Sequence, residues 1–579
     1  MMMGTIRQRS SRLRWLAVAL FAAALPFELK NPIVSLGPIV ITNVEIILYA
    51  LIAWWSVSVL RARRIHWTIA HSAVLAWLIF QFVAAILAPA EREAAIKFAL
   101  RSAGGVAVFF IAAEWMRSAR DAAGVMSAIA FGAVLSAGSG LLEVQSSAAQ
   151  AALLDFKTQA TLVGGQVRAG GTFQYANTAA MYWEAALPLI LATGVWWSIE
   201  RAQRRWIILA LAASLIVIEA IILSASRAAL ASTVFVLAIM FIADRFSSTR
   251  SGVGKPAGVS LLALGVLIGV QLIVNPIFTT RLRSESDDSW FRAVIQPART
   301  ELIASAGDVL TATVVVTNTS VRTWSAGGAH PVNVSYHWIQ PDSRRVLILN
   351  GERTALPRDL APGEAATVIA SVKVPNMPGA LTLQWDLVQE DVAWFGSRGS
   401  RAAEVNVNIT SAQSADGTVP SPTSTQLGST SSPPRAELWR AGVKMWLSYP
   451  LLGVGPDNFR HVYGTYLGQR EFDDRITANS WYVEVLATTG AIGVIAGLLV
   501  LGVVVIMVRR QWPTLTARST RALALGLSVA LLTFLMHGLV DYFMEFTPTY
   551  TLFWLIAGLL IGLLTGTADD EVARTADRV

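Results

Sequence analysis

Long apolar runs separated by short polar segments dominate the chain. A helix needs roughly 20 consecutive apolar residues to cross a bilayer. Runs of about this length lie at 13–26, 38–60, 67–89, 97–116, 122–143, 174–197, 206–224, 228–243, 257–275, 481–508, 521–540 and 548–567. The pattern therefore predicts an all-α polytopic membrane protein with about twelve transmembrane helices.

A different pattern interrupts the apolar runs between the ninth and the tenth. Residues 299–410 are short β-rich runs, such as PVNVSYHWIQP, separated by Gly, Pro and Asp. Regularly spaced short strands predict an antiparallel β-sandwich. A Ser/Thr/Pro-rich linker follows at 411–434. The predicted domains are thus 1–298 with nine helices and the start of a large loop, 299–410, the linker, and 435–579 with loop helices and the last three spans.

Composition agrees with a membrane protein. Hydrophobic residues make up 54% of the chain and charged residues only 15%, whereas soluble domains have about 25% charged residues. The chain contains no cysteine, which excludes disulfide and thiolate chemistry. The net charge of +8 raises the question of nucleic acid. We predict no nucleic-acid binding, because no basic stripe with interleaved aromatic residues is present.

The basic residues instead follow the loops. If successive runs alternate sides, then RQRSSRLR, RARR, MRSARD, ERAQRR, DRFSSTRSGVGK and RRQWPTLTARSTR all fall on one face. Arg-rich short loops are typical of the cytoplasmic side. Both termini are therefore predicted to be cytoplasmic, with the large loop and the β-domain outside the cytoplasm.

Four polar segments collect on the predicted outer face. They are RAGGTFQYANTAAMYWEAALPL at 168–189, SASRAAL at 224–230, ELWRAGVKMWLSYPLLGVGPDNF at 437–459 and ANSWYVEVLATTGAIG at 478–493. Polar groups at the mouth of a membrane helix are costly and usually have a task. Arg227 is the sharpest case, because it breaks the positive-inside pattern within a hairpin too short to be a solvated loop.

The arginines of these segments predict an anion site. Arg168, Arg227 and Arg440 would converge on one face, and the guanidinium fork matches phosphate or pyrophosphate oxygens. The turn GVGPDNF at 453–459 would add backbone N–H groups. A lone arginine near a membrane more often snorkels or marks loop sidedness, so that alternative stays open.

Other candidate residues lie in the same segments. Asn177 and Asp457 are predicted to bind substrate. Asn479, Ser480 and Glu484 would position or deprotonate an acceptor, although Asn479 and Ser480 are also the residue types that cap a helix. His461, close to GVGPDNF, is a candidate base, and no pair of histidines has metal-ligand spacing.

The four segments together resemble the O-antigen ligase and polymerase family of bacterial membrane glycosyltransferases. RAGGTFQYANTAAMY resembles its G-T-F-x-N-x-N segment, and SASRAAL its S-R-x-x-hydrophobic turn. ELWRAGVKMWLSYPLLGVGPDNF resembles its W-R-x-x…P-x-x-G-x-G…F segment. Asn479-Ser480, nine residues and GAIG resemble the His-Asn or His-Ser, nine residues and G-x-x-G of the ligases.

The resemblance implies a GT-C-like helical fold, an undecaprenyl-diphosphate-linked glycan donor, a glycan or glycolipid acceptor, and no metal or other cofactor. The family's important arginines would correspond to Arg227, Arg168 and Arg440. The ligases' histidine corresponds to Asn479, which cannot accept a proton. Either the protein is closer to the polymerases, or another base serves, such as Glu484, Asp457 or His461, or the reaction needs little help from a base because the pyrophosphate leaving group is strongly stabilised.

The predicted function is therefore transfer of a glycan from a polyprenyl diphosphate to an acceptor sugar at the outer face of a bacterial cytoplasmic membrane, in cell-envelope polysaccharide biosynthesis. The β-domain resembles immunoglobulin-like modules of bacterial envelope proteins, with glycan binding and a spacer or docking role both open. A transporter or flippase of lipid-linked sugars is the alternative, although it would more naturally show internal repeats and charges at the midplane.

Overall fold

The structure is a computed structural model. It describes residues 2–36, 39–62, 65–163, 166–275, 278, 287–328, 330–341, 346–348, 350–390, 392–410, 433, 435–468, 472 and 474–576. Nearly all of the predicted linker, 411–434, lies outside the described residues. The helices are α1 Met2–Ala24, α2 Asn43–Ala62, α3 Ile69–Ile86, α4 Arg92–Trp115, α5 Ala119–Gln145, α6 Ser147–Ala152, α7 Ala176–Glu200, α8 Arg205–Leu223, α9 Arg227–Phe246, α10 Gly254–Val274, α11 Arg435–Ser448, α12 Phe459–Leu467, α13 Trp481–Gln511, α14 Arg518–His537 and α15 Thr547–Ala576.

The multi-span helical architecture is confirmed. Within the described residues, eleven helices are long and apolar enough to cross a membrane: α2 to α5, α7 to α10 and α13 to α15. They match the second to twelfth predicted runs. The helix α1 covers most of the first run, and RQRSSRLR lies in its first half.

The helix α7 is the centre of the bundle. All of its membrane-crossing window is buried, and it packs against α5, α8, α9 and α14. Small residues allow the close approach: a Cβ on Gly526 of α14 would lie 2.4 Å from the Cβ of Ala192 in α7. Polar side chains on α7 are therefore surrounded by protein rather than by lipid.

A β-sheet insertion lies between α10 and α11, as the sequence predicts. Its strands are β5 Ala293–Pro297, β6 Glu301–Ser305, β7 Val309–Asn318, β8 Val332–Ile339, β9 Val346–Ile348, β10 Thr354–Ala355, β11 Ala365–Lys373, β12 Gly379–Gln389, β13 Ala393–Trp394 and β14 Ala403–Thr410. Two short hairpins elsewhere comprise β1 Val34–Leu36 with β2 Ile39–Ile41, and β3 Leu162–Val163 with β4 Gln166–Val167.

Two sheets form the insertion. One has the order β10-β8-β12-β14-β6, with β9 and β13 at its margins, and the other has the order β11-β7-β5. Residues of both sheets share one core, which includes Trp338 and Trp385 from the first and Val316 and Val372 from the second. The pairing differs from the antiparallel expectation at one place, because β14 and β6 run parallel.

Candidate functional site

A buried carboxylate shapes the loop that precedes α7. Glu143 of α5 accepts hydrogen bonds through Oε2 from the backbone N–H groups of Gly170 and Gly171, at 3.0 and 2.8 Å. Its Oε1 is paired with Lys157 Nζ at 2.5 Å, and both side chains are buried. Burial lowers the pKa of the Lys157 ammonium, while Glu143 opposes that effect. This network fixes the RAGGTF segment against α5.

Gly171 is required at this position. Its φ is +53°, and a Cβ there would lie 2.4 Å from the Ser136 carbonyl oxygen. Only glycine combines that backbone conformation with so close an approach. Packing therefore accounts for the glycine pair of the motif. It does not account for the polar residues of the motif.

The loop places Arg168 against the turn between α8 and α9. Arg168 is 8% exposed, and its Nε donates to the Ser224 carbonyl at 2.6 Å. Its Nη2 donates to Asn177 Oδ1 at 2.6 Å. Ser226 caps α9, and Arg227 is the first residue of that helix. Two of the predicted polar segments are thus in direct contact.

Two cavities open at this end of the bundle and share Asn177 in their walls. The Arg227 cavity has a volume of about 480 Å³ and is formed chiefly by α9 and the end of α14; its lining includes Arg227, Ala231, Phe235, Arg435 and Leu539. The Asp541 cavity has a volume of about 400 Å³, and its lining includes Arg168, Arg475, Asn479, Asp541 and Glu545. The first combines two arginines with apolar side chains, whereas the second is rich in charged and polar groups.

The Gly-rich turn has a structural role that the sequence did not indicate. Gly490 interrupts α13 with a φ of +61°. The N–H groups of Val454 and Gly455 donate to the freed carbonyls of Ala487 and Thr488, at 3.0 and 2.9 Å. Non-helical backbone inside a membrane protein needs such partners. These two N–H groups are therefore occupied, and the structure does not support the anion-binding interpretation for them.

The start of α13 places Asn479 in the Asp541 cavity. Asn479 has a φ of +49°, and Glu484 supports the turn because its Oε2 accepts from Ala478 N at 2.9 Å. Ser480 occupies the N-cap position without a capping hydrogen bond from its side chain; its Oγ lies 3.5 Å from the Gly538 carbonyl. Glu484 is buried and lines neither cavity.

A charge cluster adjoins the same cavity. Arg460 Nη2 lies 2.6 Å from Asp457 Oδ2, and its Nη1 lies 4.0 Å from Glu545 Oε2. Burial raises the pKa of the Asp457 carboxyl, although Arg460 opposes the shift. Burial also raises the pKa of Glu545 to about 7, with the charge of Asp457 adding to the effect. Asp457 does not line a cavity. It pairs with Arg460, which lies close to the cavity residue Glu545.

Two predicted site residues lie apart from both cavities. Arg440 is exposed on α11, and His461 is half-buried on α12. Neither is among the residues that line the two cavities. The structure therefore brings together Arg168, Asn177, Arg227 and Asn479, whereas Asp457, Ser480 and Glu484 lie behind them.

Several cavity residues were not singled out from the sequence. Arg435 and Arg475 lie outside the apolar runs, where arginine is unremarkable. Asp541 and Glu545 lie just beyond the apolar run 521–540. Glu184, which lines neither cavity, had a usable signal, since it is an acidic residue within the apolar run 174–197.

Comparison with known proteins agrees with this architecture. Residues 392–497 match the family model Wzy_C, described as O-Antigen ligase. The match covers the segments 437–459 and 478–493, whereas 168–189 and 224–230 lie outside it. A comparison with curated proteins finds no match. The helices define a multi-pass membrane protein, and residues 392–497 are similar to the O-antigen ligase domain, as the sequence motifs indicated.

Proposed function

We propose that this protein is a membrane glycosyltransferase that moves a glycan from a polyprenyl diphosphate to a hydroxyl of an acceptor sugar. The observation that carries the proposal is the pair of cavities with different linings that meet at Asn177. A transferase needs a donor and an acceptor side by side, with the reacting atoms at their junction. The family match supports a substrate of this class.

The Arg227 cavity suits the lipid donor. Arg227 and Arg435 supply positive charge at the start of α9 and α11, and Ala231 and Phe235 continue along α9 as apolar surface. A diphosphate would be held by the guanidinium groups, while the polyprenyl chain would follow the apolar side chains. Guanidinium groups that bind the leaving diphosphate stabilise the charge that grows as the sugar–phosphate bond breaks.

The Asp541 cavity suits the acceptor sugar. Arg168, Arg475, Asn479, Asp541 and Glu545 provide several hydrogen-bonding groups around a polar space. Tyr175 and Phe546 also line it, and their rings contact each other with centroids 5.7 Å apart. Polar groups with an aromatic flank recognise hydroxyls and the apolar face of a sugar ring.

The loop asymmetry supports placing both cavities at the outer face of a bacterial cytoplasmic membrane, with both termini in the cytoplasm. The mouths of the cavities lie where α7, α9 and α13 begin and α14 ends, which is opposite to the Arg-rich loops. The product is an envelope polysaccharide: a lengthened lipid-linked glycan if the acceptor is a second lipid-linked glycan, and a glycan-bearing glycolipid if the acceptor is a glycolipid.

The test is transfer by the purified protein, both in lipid nanodiscs and in sealed vesicles. A polyprenyl-diphosphate oligosaccharide and a sugar acceptor are added without a divalent metal, and released polyprenyl diphosphate and elongated glycan are measured together. We expect both products in equal amounts. Movement of intact donor across sealed vesicles without release of polyprenyl diphosphate would instead show a flippase.

A further inference from the structure

A buried ionisable pair lies inside the bundle, directly behind the Asp541 cavity. Glu184 lies two turns into α7, and His537 is the last residue of α14. His537 Nδ1 is 2.6 Å from Glu184 Oε1, and each side chain is 1% exposed. Burying two ionisable groups in a membrane protein costs free energy, so such groups usually pair with each other or take part in function.

The pair continues toward the cavity. His537 Nε2 lies 3.8 Å from Asp541 Oδ2 and, among the described residues, is buried without a hydrogen-bond partner. The same Asp541 oxygen lies 3.4 Å from Asn177 Nδ2. Glu184, His537 and Asp541 therefore form a row that leads from the interior of the bundle to the wall of the cavity.

We propose that Asp541 is the general base for the acceptor hydroxyl, and that His537, held by Glu184, orients Asp541. This inference rests on the proposed glycosyl transfer. The acceptor oxygen forms a bond to the anomeric carbon while its proton moves to Asp541. The bond from that carbon to the diphosphate oxygen breaks, and its electron pair leaves with the polyprenyl diphosphate. The proton then passes from Asp541 to water in the cavity.

The geometry explains the role of each member. Two carboxylates flank the His537 ring, so an imidazolium that donates from Nδ1 to Glu184 presents its Nε2–H to Asp541. Its positive charge favours the ionised form of Asp541, which must be unprotonated to act as the base. The charged groups in contact with the ring are Glu184 from α7 and Asp541 beyond α14, and Phe543 packs at its edge.

The other candidate bases are less well placed. Asn479 lines the cavity but cannot accept a proton. Glu484 accepts from Ala478 N and does not line the cavity. Glu545 lines it, but faces Arg460 rather than a histidine. Asp541 is the carboxylate that has both the cavity on one side and a histidine behind it.

The test compares Asp541→Asn, Asp541→Glu, His537→Gln and Glu184→Gln with His71→Gln. His71 is another buried histidine in a membrane helix, paired with Thr68 rather than with a carboxylate. The measurements are kcat and KM for transfer from pH 5 to 9, and binding of polyprenyl diphosphate alone. That binding reports folding of the donor side without any transfer.

We expect Asp541→Asn to lower kcat on the order of 10²- to 10³-fold, as loss of a general base does. Donor KM and binding of polyprenyl diphosphate should change less than about threefold. Asp541→Glu should recover part of kcat. His537→Gln and Glu184→Gln should lower kcat about tenfold and alter the acidic limb of the pH profile, with His71→Gln unchanged.

Two results would overturn the inference, and a third would overturn the proposed function. If the wild-type protein transfers sugar, but Asp541→Asn and His537→Gln keep its kcat and pH profile, the roles given to Asp541 and His537 are wrong and the glycosyl transfer stands. If the variants lose diphosphate binding in parallel with kcat at an unchanged pH profile, the pair has only a structural role. If the inserted wild-type protein binds polyprenyl diphosphate but transfers to no acceptor, the proposed function itself fails.

Discussion

Arg168 donates from Nη2 to Asn177 Oδ1 at 2.6 Å, and this contact joins the loop before α7 to the wall between the two cavities. Asn177 Nδ2 in turn lies 3.4 Å from Asp541 Oδ2. One amide therefore orients a cation on one side and a carboxylate on the other. The amide is suited to this position because it both accepts and donates.

Replacing Asn177 by Ala should disturb both partners. The buried Arg168 would lose an acceptor, which costs about 1 to 3 kcal/mol when the group stays buried. We expect transfer to fall roughly 5- to 150-fold, since that range of free energy corresponds to such factors in rate. Steady-state transfer measures this, with Asn275→Ala, an amide at the end of α10 that lines neither cavity, as the control. Equal effects of the two substitutions would contradict the junction role.

Arg227 should act through its charge and its fork geometry. Lysine keeps the charge but loses bidentate contact with a diphosphate. We expect Arg227→Lys to insert normally and lose most transfer, and Arg227→Ala to lose about 10²- to 10³-fold. Donor titrations measure the effect. Arg92 is the matched control, because it is also the first residue of a membrane helix and is exposed. Near-normal transfer by an inserted Arg227→Ala protein would leave only the snorkelling interpretation.

The two arginines of α11 allow the role predicted from the family motif to be tested against the role predicted from the cavity lining. Arg440 corresponds to the family motif but is exposed, whereas Arg435 lines the Arg227 cavity. We expect Arg435→Ala to raise the KM for the donor about tenfold, as loss of one charge-assisted contact does. Arg440→Ala should change it little. The reverse order would show that Arg440 reaches the donor and that the motif is the better guide.

The sequence predicted the features that depend on neighbouring residues, and it did not predict those that depend on contacts between residues far apart in the chain. Apolar runs fix the membrane helices through local composition, so α7 and α13 were placed correctly. Asn177 and Arg227, which line the Arg227 cavity, were singled out because polar residues are rare at such positions. The pairing of His537 with Glu184 spans 353 positions, and no local pattern records it. The Gly-rich turn was misinterpreted because its partner, the break of α13 at Gly490, is also non-local.

The β-insertion should fold alone, provided that its first strand is included. Trp290 and Phe291 belong to its core, and β5 pairs with β7 from Ala293 onward. A fragment of residues 287–412 should melt cooperatively with a strand-rich circular dichroism spectrum. A fragment of residues 296–412 should be less stable by several kcal/mol, since removing one large buried aromatic side chain costs about 3 to 5 kcal/mol. Equal melting curves would show that these residues are dispensable.

The last prediction concerns the pH dependence of stability at Glu545. Its carboxyl is nearly buried, and its pKa in the folded protein is raised from an ordinary value of 4.5 to about 7. The folded state therefore holds the proton more tightly than the unfolded state does. The stabilising contribution is fully present below pH 4.5 and is lost as the pH rises through about 7.

Glu545→Gln should remove this dependence, because glutamine resembles the protonated carboxyl at every pH. We expect the variant to match the wild-type protein at pH 4.5 and to be more stable than it at pH 8, by on the order of 3 kcal/mol. Tryptophan fluorescence during thermal unfolding in detergent measures the difference. Glu437→Gln, which changes an exposed carboxylate on α11, should leave the pH dependence as it is. If Glu545→Gln were instead less stable than the wild-type protein at pH 8, Glu545 would be ionised in the folded state and held by Arg460, and the cluster would be a stabilising ion-pair network.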